Sequence, residues 1–257
     1  MLNLLISLVS AMVVAVVTYA LLGSAVAAAV PGVLVFGACF FLIARSVGNR
    51  VSAEMNLLVP LLQERKIKDA EAHLIGLKGR FGKWQFLLKG QLDAQRGMIS
   101  YMQMKFDEAL PLLKKGQFRN WAAIVSIGCV HHRKGNKEDA WACFEKAKRS
   151  SPKEPMVYLV WATLLTRDGK RPRALEVLAS SQKSLPENAL LTGLQGTIAN
   201  RKKIDPKRFP QSWYQFFPED MRKQMVRGRR GGPGDNVVYQ PAPHPQPKVS
   251  KKMRKGG

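Results

Sequence analysis

Four side chains of metal-ligating type lie close together in the middle of the chain: Cys129, His131, His132 and Cys143. Cysteine thiolates and imidazoles are the usual ligands of structural zinc. Their spacing, Cys-x-His-His followed by a cysteine eleven residues later, matches no standard zinc pattern. The chain has 3 cysteines in all, the third being Cys39, which makes no disulfide framework and suits a reducing compartment. We therefore predict no metal site.

Motifs for nucleotide binding and for nucleophilic catalysis are missing from the sequence. The glycine-rich run 228–234 is basic and follows no predicted strand, so we do not expect it to hold a phosphate group. No motif places a serine, a histidine and an aspartate as a catalytic set. We expect no catalytic residues and no cofactor, and hence a protein that is not an enzyme.

One segment occurs twice between residues 120 and 186. Six positions recur at an interval of 34 residues. They are Gly128, Gly135, Ala140, Phe144, Ala147 and Pro152 in the first copy, and Ala162, Gly169, Ala174, Leu178, Ser181 and Pro186 in the second. Small residues let two helices approach closely, glycine permits a turn with positive φ, and proline cannot continue a helix. The pattern predicts helix pairs whose turns lie at the two glycines.

This period and these positions resemble the tetratricopeptide repeat family. The resemblance is specific for residues 120–186, and we assign residues 51–203 to the whole array. The repeat alanine recurs at Ala70, Ala109, Ala140 and Ala174. The resemblance implies a right-handed α-solenoid whose first helices line a concave groove for peptides or partner proteins. It implies protein interaction and not catalysis.

The resemblance also implies which side chains face the groove. They are Arg133, Arg167 and Arg201 at one helix position, His132, Thr166 and Asn200 at the position before, and Cys129, Thr163 and Thr197 one turn earlier. Arginines repeated at the solenoid period would form a ladder for carboxylates or phosphates, because a guanidinium group binds them with two parallel hydrogen bonds. The competing interpretation is that each arginine is a solvated residue at a helix C-terminus, where the helix dipole favours a cation.

Residues 1–44 contain no charged residue and no histidine, although the chain as a whole has a net charge of +23. One helix of this length would measure about 65 Å, roughly twice the hydrocarbon thickness of a bilayer. We therefore predict two transmembrane helices, 2–22 and 25–44, with a turn at Gly23 and Ser24. A cleaved signal peptide is the alternative, because 24–27 offers small residues, but the basic n-region is missing and the apolar run continues beyond that point.

The flanking charges predict the orientation of this hairpin. Arg45 and Arg50 directly follow the second span, whereas the turn is uncharged. The positive-inside rule then places both termini and the repeats in the cytoplasm. We expect a multi-pass protein of the bacterial inner membrane, with residues 1–45 as the membrane domain.

The C-terminal quarter of the chain divides into two parts. Residues 204–227 are rich in aromatic side chains and are expected to cap the last repeat. Residues 228–257 form a basic, Gly- and Pro-rich tail that has too few large apolar side chains to offset its ordering entropy, so we predict that it is disordered. Its basic clusters, 227–230 and 248–255, suit anionic lipid or single-stranded nucleic acid.

Two functions agree with these features. In the first, an all-α protein with a transmembrane hairpin and a tetratricopeptide-like solenoid acts as a scaffold that recruits an acidic partner or peptide at the cytoplasmic face. In the second, a membrane-associated protein binds nucleic acid or ribosomes through its basic tail. The oligomeric state is open in both.

Overall fold

The structure is a computed structural model that describes residues 2–64, 66–84 and 87–229. For residues 224–229 it describes only the backbone. These residues form twelve α-helices and no strand, which confirms the predicted all-α class. The helices are α1 Leu2–Leu22, α2 Ala25–Asn56, α3 Leu58–Gln63, α4 Ile67–Phe81, α5 Leu88–Met102, α6 Phe106–Lys115, α7 Trp121–Arg133, α8 Lys137–Ser150, α9 Pro155–Arg167, α10 Arg171–Ser181, α11 Ala189–Ala199 and α12 Pro218–Arg229. Two short 3-10 helices, Pro206–Arg208 and Gln211–Gln215, lie between α11 and α12.

Helices α1 and α2 form the predicted hairpin and pack against each other. Gly23 makes the turn with φ of 64°, and the Ser24 hydroxyl caps α2 by accepting from the Ala27 N–H. Both helices are long and apolar enough to cross a membrane. Only 11% of the apolar window of each is buried, so they do not pack as the core helices of a soluble protein do.

Helix α2 is longer than predicted. It continues from the apolar run through Arg45 and Arg50 to Asn56 without a break. The change in composition at Arg45 is therefore not accompanied by a break in the helix. Val47 and Val51, one turn apart, keep the helix in contact with a core that also contains Leu74 and Leu88. The same helix therefore belongs both to the hairpin and to the helical domain.

The 34-residue period appears directly in the helix boundaries. The first helices α7, α9 and α11 begin at Trp121, Pro155 and Ala189, and the second helices α8 and α10 begin at Lys137 and Arg171. Each first helix packs against its own second helix where one exists, and α5, α7, α9 and α11 also pack against one another in that order.

Side-chain caps and turn glycines account for these boundaries. Asn120 and Asn188 each accept a hydrogen bond from the N–H three residues later, at 3.1 Å, which satisfies an otherwise unpaired donor of α7 and α11. Gly135 and Gly169 end their turns with φ of 83° and 78°, as predicted. An L-residue would adopt that conformation only at a cost.

The close helix approach expected at Gly128 is present. A Cβ placed there would lie 3.1 Å from the Phe144 ring and 3.2 Å from the Cys143 Cβ. The repeat alanines Ala140 and Ala174 are fully buried.

Helix α10 ends well before the repeat proline. It stops at Ser181, five residues before Pro186. The Ser181 hydroxyl donates to the Leu178 carbonyl, and the Ser181 carbonyl accepts from the Leu185 N–H. The chain therefore leaves the helix through hydrogen-bonded turns, and the proline follows them.

The apolar side chains form two cores that share α5. The first, which we call the membrane-side core because it adjoins the hairpin that is predicted to span a membrane, joins the end of α2 with α4 and the part of α5 that carries Leu88, Leu92 and Ile99. The repeat core extends from Tyr101 through α6 to α11 and includes the C-terminal aromatic residues.

Candidate functional site: the arginine face and the C-terminal segment

Two of the three predicted ladder arginines hold equivalent positions. Arg133 and Arg167 are the last residues of α7 and α9. Helix α11 ends at Ala199, two residues earlier in the repeat. Arg201 therefore lies outside its helix with φ of 52°.

The hydrogen bonds that end α11 explain this shift. The Asn200 carboxamide donates to the Gly196 carbonyl, and the Lys202 N–H donates to the Thr197 carbonyl. After α7 the corresponding bond runs from the Asn136 N–H to the His131 carbonyl. Asn136 lies two residues later in the repeat than Lys202 does. Arg201 thus takes the turn position that Gly135 and Gly169 hold in the other repeats. We call the surface formed by Arg133 and Arg167 the arginine face.

Residues 209–220, which we call the C-terminal segment, pack across α9, α7 and α5. The contacts include α9, which belongs to the last complete helix pair, and they extend further back along the array to α7 and α5. Phe216 is fully buried, with its ring 6.0 Å from that of Trp121 in α7. Trp213 is also fully buried and stacks on Phe217 at 4.1 Å. These aromatic side chains are part of the repeat core.

Arg133 is the centre of the contacts between this segment and the repeats. Its guanidinium group donates to the Tyr101 hydroxyl at 2.6 Å, to the Phe216 carbonyl at 2.9 Å and to Glu219 Oε1 at 2.8 Å. The Tyr101 hydroxyl donates in turn to the Phe216 carbonyl at 2.7 Å. Burial raises the pKa of Tyr101 well above its ordinary value, so the phenol keeps the proton that it donates.

Aromatic rings surround the same guanidinium group. Its central carbon lies 4.9 Å from the centre of the Phe106 ring, 5.4 Å from that of Tyr101 and 5.5 Å from that of Phe217. The faces of such rings carry partial negative charge and attract a cation, more strongly where water is excluded. The side chain is 20% exposed, so Glu219 and the rings replace most of its hydration.

Arg167 makes a looser version of the same arrangement. It donates to Asp220 Oδ2 at 3.2 Å and lies over Phe217 at 4.7 Å and over Trp213 at 6.0 Å. Its side chain is 42% exposed, twice as much as that of Arg133. Consecutive carboxylates, Glu219 and Asp220 in the first turn of α12, therefore bind arginines 34 residues apart.

The smaller residues predicted to face the groove mostly bond within their own helices. The threonine hydroxyl groups donate to carbonyls one turn earlier: Thr163 to Leu159, Thr166 to Ala162 and Thr197 to Gly193. Cys129 and Thr163 are buried and so are not open to a ligand. Burial raises the pKa of Cys129 to about 11, which keeps it a neutral thiol.

His132 belongs to a contact between neighbouring repeats. Its Nε2 lies 3.2 Å from Asp168 Oδ2, and Lys137 Nζ lies 3.1 Å from the same oxygen. Burial alone would raise the pKa of Asp168, but the hydrogen bonds from Lys137 and His132 outweigh it and lower that pKa. The imidazole thus contacts a carboxylate of the next repeat.

No group of three or more His, Cys, Asp or Glu side chains is arranged to hold a metal ion within the described part of the chain. His131 Nδ1 lies 3.7 Å from Asp139, and Cys143 is half-buried. The predicted tail begins inside α12, which extends to Arg229, and the remainder of the tail, 230–257, lies outside the described residues.

Sequence reasoning missed the carboxylates and rings that bind the arginines. Glu219 and Asp220 are two of only 4 acidic residues in the basic stretch 201–257. Their position directly after five aromatic residues was the available signal. Tyr101 and Phe106 carried no signal, because their contacts join residues distant in sequence: Arg133 lies 32 residues from Tyr101 and 27 from Phe106, and Phe216 lies 115 residues from Tyr101.

The arrangement can recognise a chain segment that carries aromatic side chains followed by adjacent carboxylates. Comparison with known proteins does not name such a ligand, since no protein-family model and no curated protein matches the sequence.

Proposed function

We propose that the protein is a membrane-anchored helical-repeat scaffold that binds an acidic segment of a partner protein on its arginine face. One observation carries this proposal: Arg133 and Arg167, one repeat apart, hold the neighbouring carboxylates Glu219 and Asp220. These contacts within the chain support the proposal, because a partner segment with adjacent carboxylates would offer the same groups to the two arginines.

The helix pairs support the scaffold part of the proposal. They repeat at 34 residues and have buried alanines and turn glycines at the positions typical of tetratricopeptide repeats. Stacked pairs of this kind form a solenoid with an extended concave surface, and such surfaces commonly bind proteins. We therefore assign the chain to this architecture and expect interaction rather than catalysis.

The exposed apolar side chains of α1 and α2 support the anchor. Exposure of so much contiguous apolar surface is costly in water and favourable in lipid. Arg45 and Arg50 follow directly, so the helical domain lies in the cytoplasm of a bacterial cell and the hairpin in its inner membrane. A reporter enzyme fused after Gly257 should be active only in the cytoplasm, and periplasmic activity would contradict this orientation.

An acidic partner segment would bind by replacing the first turn of α12. The buried aromatic residues hold 209–217 in the core, whereas the acidic turn is held mainly by its two ion pairs. The weaker pair joins Arg167 and Asp220, and its arginine is 42% exposed against 20% for Arg133. Exposed pairs contribute about 1 kcal/mol or less, so a partner carboxylate can compete there.

The test compares full-length variants by crosslinking and affinity purification from native membranes. Glu219→Gln/Asp220→Asn removes the internal competitor and should increase recovery of the partner. Arg167→Glu should abolish recovery, because it reverses the charge of the face at its exposed end. Glu138→Gln/Asp139→Asn is the matched control, since it neutralises an equivalent acidic pair in the first turn of α8. The same set of recovered proteins from all three variants would refute the proposal.

A further inference from the structure

A cleft of about 300 Å³ lies where α2 leaves its apolar run. Ile43 and Val47 of α2 form one wall, and Phe81 and Trp84 form the other. Ser46 and Arg50 also line it. The lining is thus mainly apolar, with one hydroxyl group and one cationic group.

The N-terminus of α1 places this cleft at the level of a membrane boundary. The N–H groups of Leu2 and Asn3, which begin the first apolar helix, donate to the carbonyls of Lys83 and Trp84 at 2.9 and 3.4 Å. The Asn3 carboxamide also donates to the Phe40 carbonyl of α2, at 3.4 Å. Since α1 has 21 residues and a length of about 30 Å, its start coincides with one edge of the hydrocarbon layer.

The charged residues in the two stretches that line the cleft, 43–50 and 81–84, are all basic. No acidic residue precedes Glu54, and none lies between Glu71 and Asp93. Glu54 is engaged elsewhere, because its carboxylate lies 3.2 Å from His73 and 3.1 Å from Arg80. An anion at the cleft would therefore meet no carboxylate from these two stretches.

Basic side chains at the same level complete this surface. Arg45 and Arg50 have no carboxylate within 4.0 Å among the described residues. The Lys89 side chain lies against Gly82, because a Cβ added at Gly82 would be 2.8 Å from the Lys89 Cγ. Lys89 also has no carboxylate within 4.0 Å in the described part of the chain. Tryptophan and arginine at a membrane boundary favour contact with lipid head groups.

We infer that this cleft binds one anionic phospholipid of the bilayer. One acyl chain lies between Ile43 and Trp84, and the phosphate accepts hydrogen bonds from the guanidinium fork of Arg50. The inference rests on the membrane anchoring proposed above but does not depend on the acidic partner. The lipid would fix the junction between the hairpin and the membrane-side core.

The experiment reconstitutes the full-length protein into bilayer discs that contain equal amounts of phosphatidylglycerol and phosphatidylcholine, and counts the retained lipids by native mass spectrometry. The wild-type protein should retain one phosphatidylglycerol molecule in preference to phosphatidylcholine. Arg50→Gln should lower that preference about fivefold, the effect expected of one basic residue near an anionic surface. Ile43→Trp should abolish retention by filling the cleft, without a change in charge.

Arg173→Gln is the matched control, because Arg173 is an exposed arginine of α10 in the repeats. It should leave the preference unchanged. Insertion of the wild-type protein without any preference, or equal effects of Arg50→Gln and Arg173→Gln, would overturn the lipid site and leave the scaffold proposal standing. Failure of the wild-type protein to enter the bilayer would overturn the anchor as well.

Discussion

Replacement of Arg133 by alanine tests whether this arginine holds the C-terminal segment on the repeats. The substitution removes three hydrogen bonds and the cation from among three aromatic rings. The Phe216 carbonyl keeps its bond from Tyr101, so the principal loss is the ion pair with Glu219. A hydrogen bond to a charged group contributes about 1.5–3 kcal/mol.

Solvent exposure reduces this figure only in part. The Glu219 side chain is 33% exposed and can recover some hydration when its partner is removed. Adding about 1 kcal/mol for the ring contacts, we expect the free energy of unfolding to fall by about 3 kcal/mol. Because about 1 kcal/mol corresponds to roughly 2–4 °C in a domain of this size, the Tm should fall by about 6–12 °C.

The measurement is thermal unfolding of the full-length protein in detergent, followed by tryptophan fluorescence. Four of the five tryptophans, all except Trp84, lie in or against the repeat core, so the signal reports mainly on the affected part. Arg167→Ala is the control with the looser pair and should lower the Tm by no more than about 4 °C. Equal shifts for the two variants would refute the argument.

Two further predictions concern single positions in the repeats. Gly135→Ala should lower the free energy of unfolding by about 1–2 kcal/mol because of its positive φ alone, since an added Cβ meets nothing within 4 Å. Gly196→Ala in helix α11 should instead raise the free energy of unfolding by about 0.5–1 kcal/mol. Denaturant unfolding measures both changes. Asp168→Asn should destabilise the protein fully above about pH 4, and the effect should fade as the pH falls through the folded pKa of Asp168. A carboxylate whose pKa is lowered in the folded state contributes its whole stabilisation above its unfolded pKa, near 3.9, and loses it progressively below that value. A gap between the wild-type and Asp168→Asn unfolding curves that persists in strong acid would contradict this assignment.

The parts of the fold that could be predicted were those with local signals. The 34-residue pattern located the turns at Gly135 and Gly169, and the apolar run with Gly23 indicated the hairpin. Each depends on contacts between residues close in sequence, where periodicity and turn chemistry are informative. The extension of α2 was missed because a change from apolar to basic composition was interpreted as a helix end.

The candidate site could be predicted only in part, for the opposite reason. The repeat period suggested that Arg133 and Arg167 belong to one site. A period in the sequence does not show where each helix ends, however. Helix α11 ends two residues earlier in the repeat than α7 and α9 do. The residue count therefore assigned Arg201 to the arginine ladder, although Arg201 lies outside its helix. The carboxylates that bind the other two arginines come from a segment 53 and 86 residues away, and no local pattern announces such a contact.

Helix α5 connects the membrane-side core with the residues that contact the arginine face. Its first residue, Leu88, packs in the membrane-side core with the end of α2, and Tyr101 near its other end bonds Arg133. A continuous helix rises 1.5 Å per residue, so about 20 Å separates these two contacts. Because both ends are buried, the arginine face is held at a set distance from the point where α2 enters the domain. A partner bound as proposed would be positioned by packed helices and not by a flexible tether, which is the rigidity that the proposed scaffold function requires.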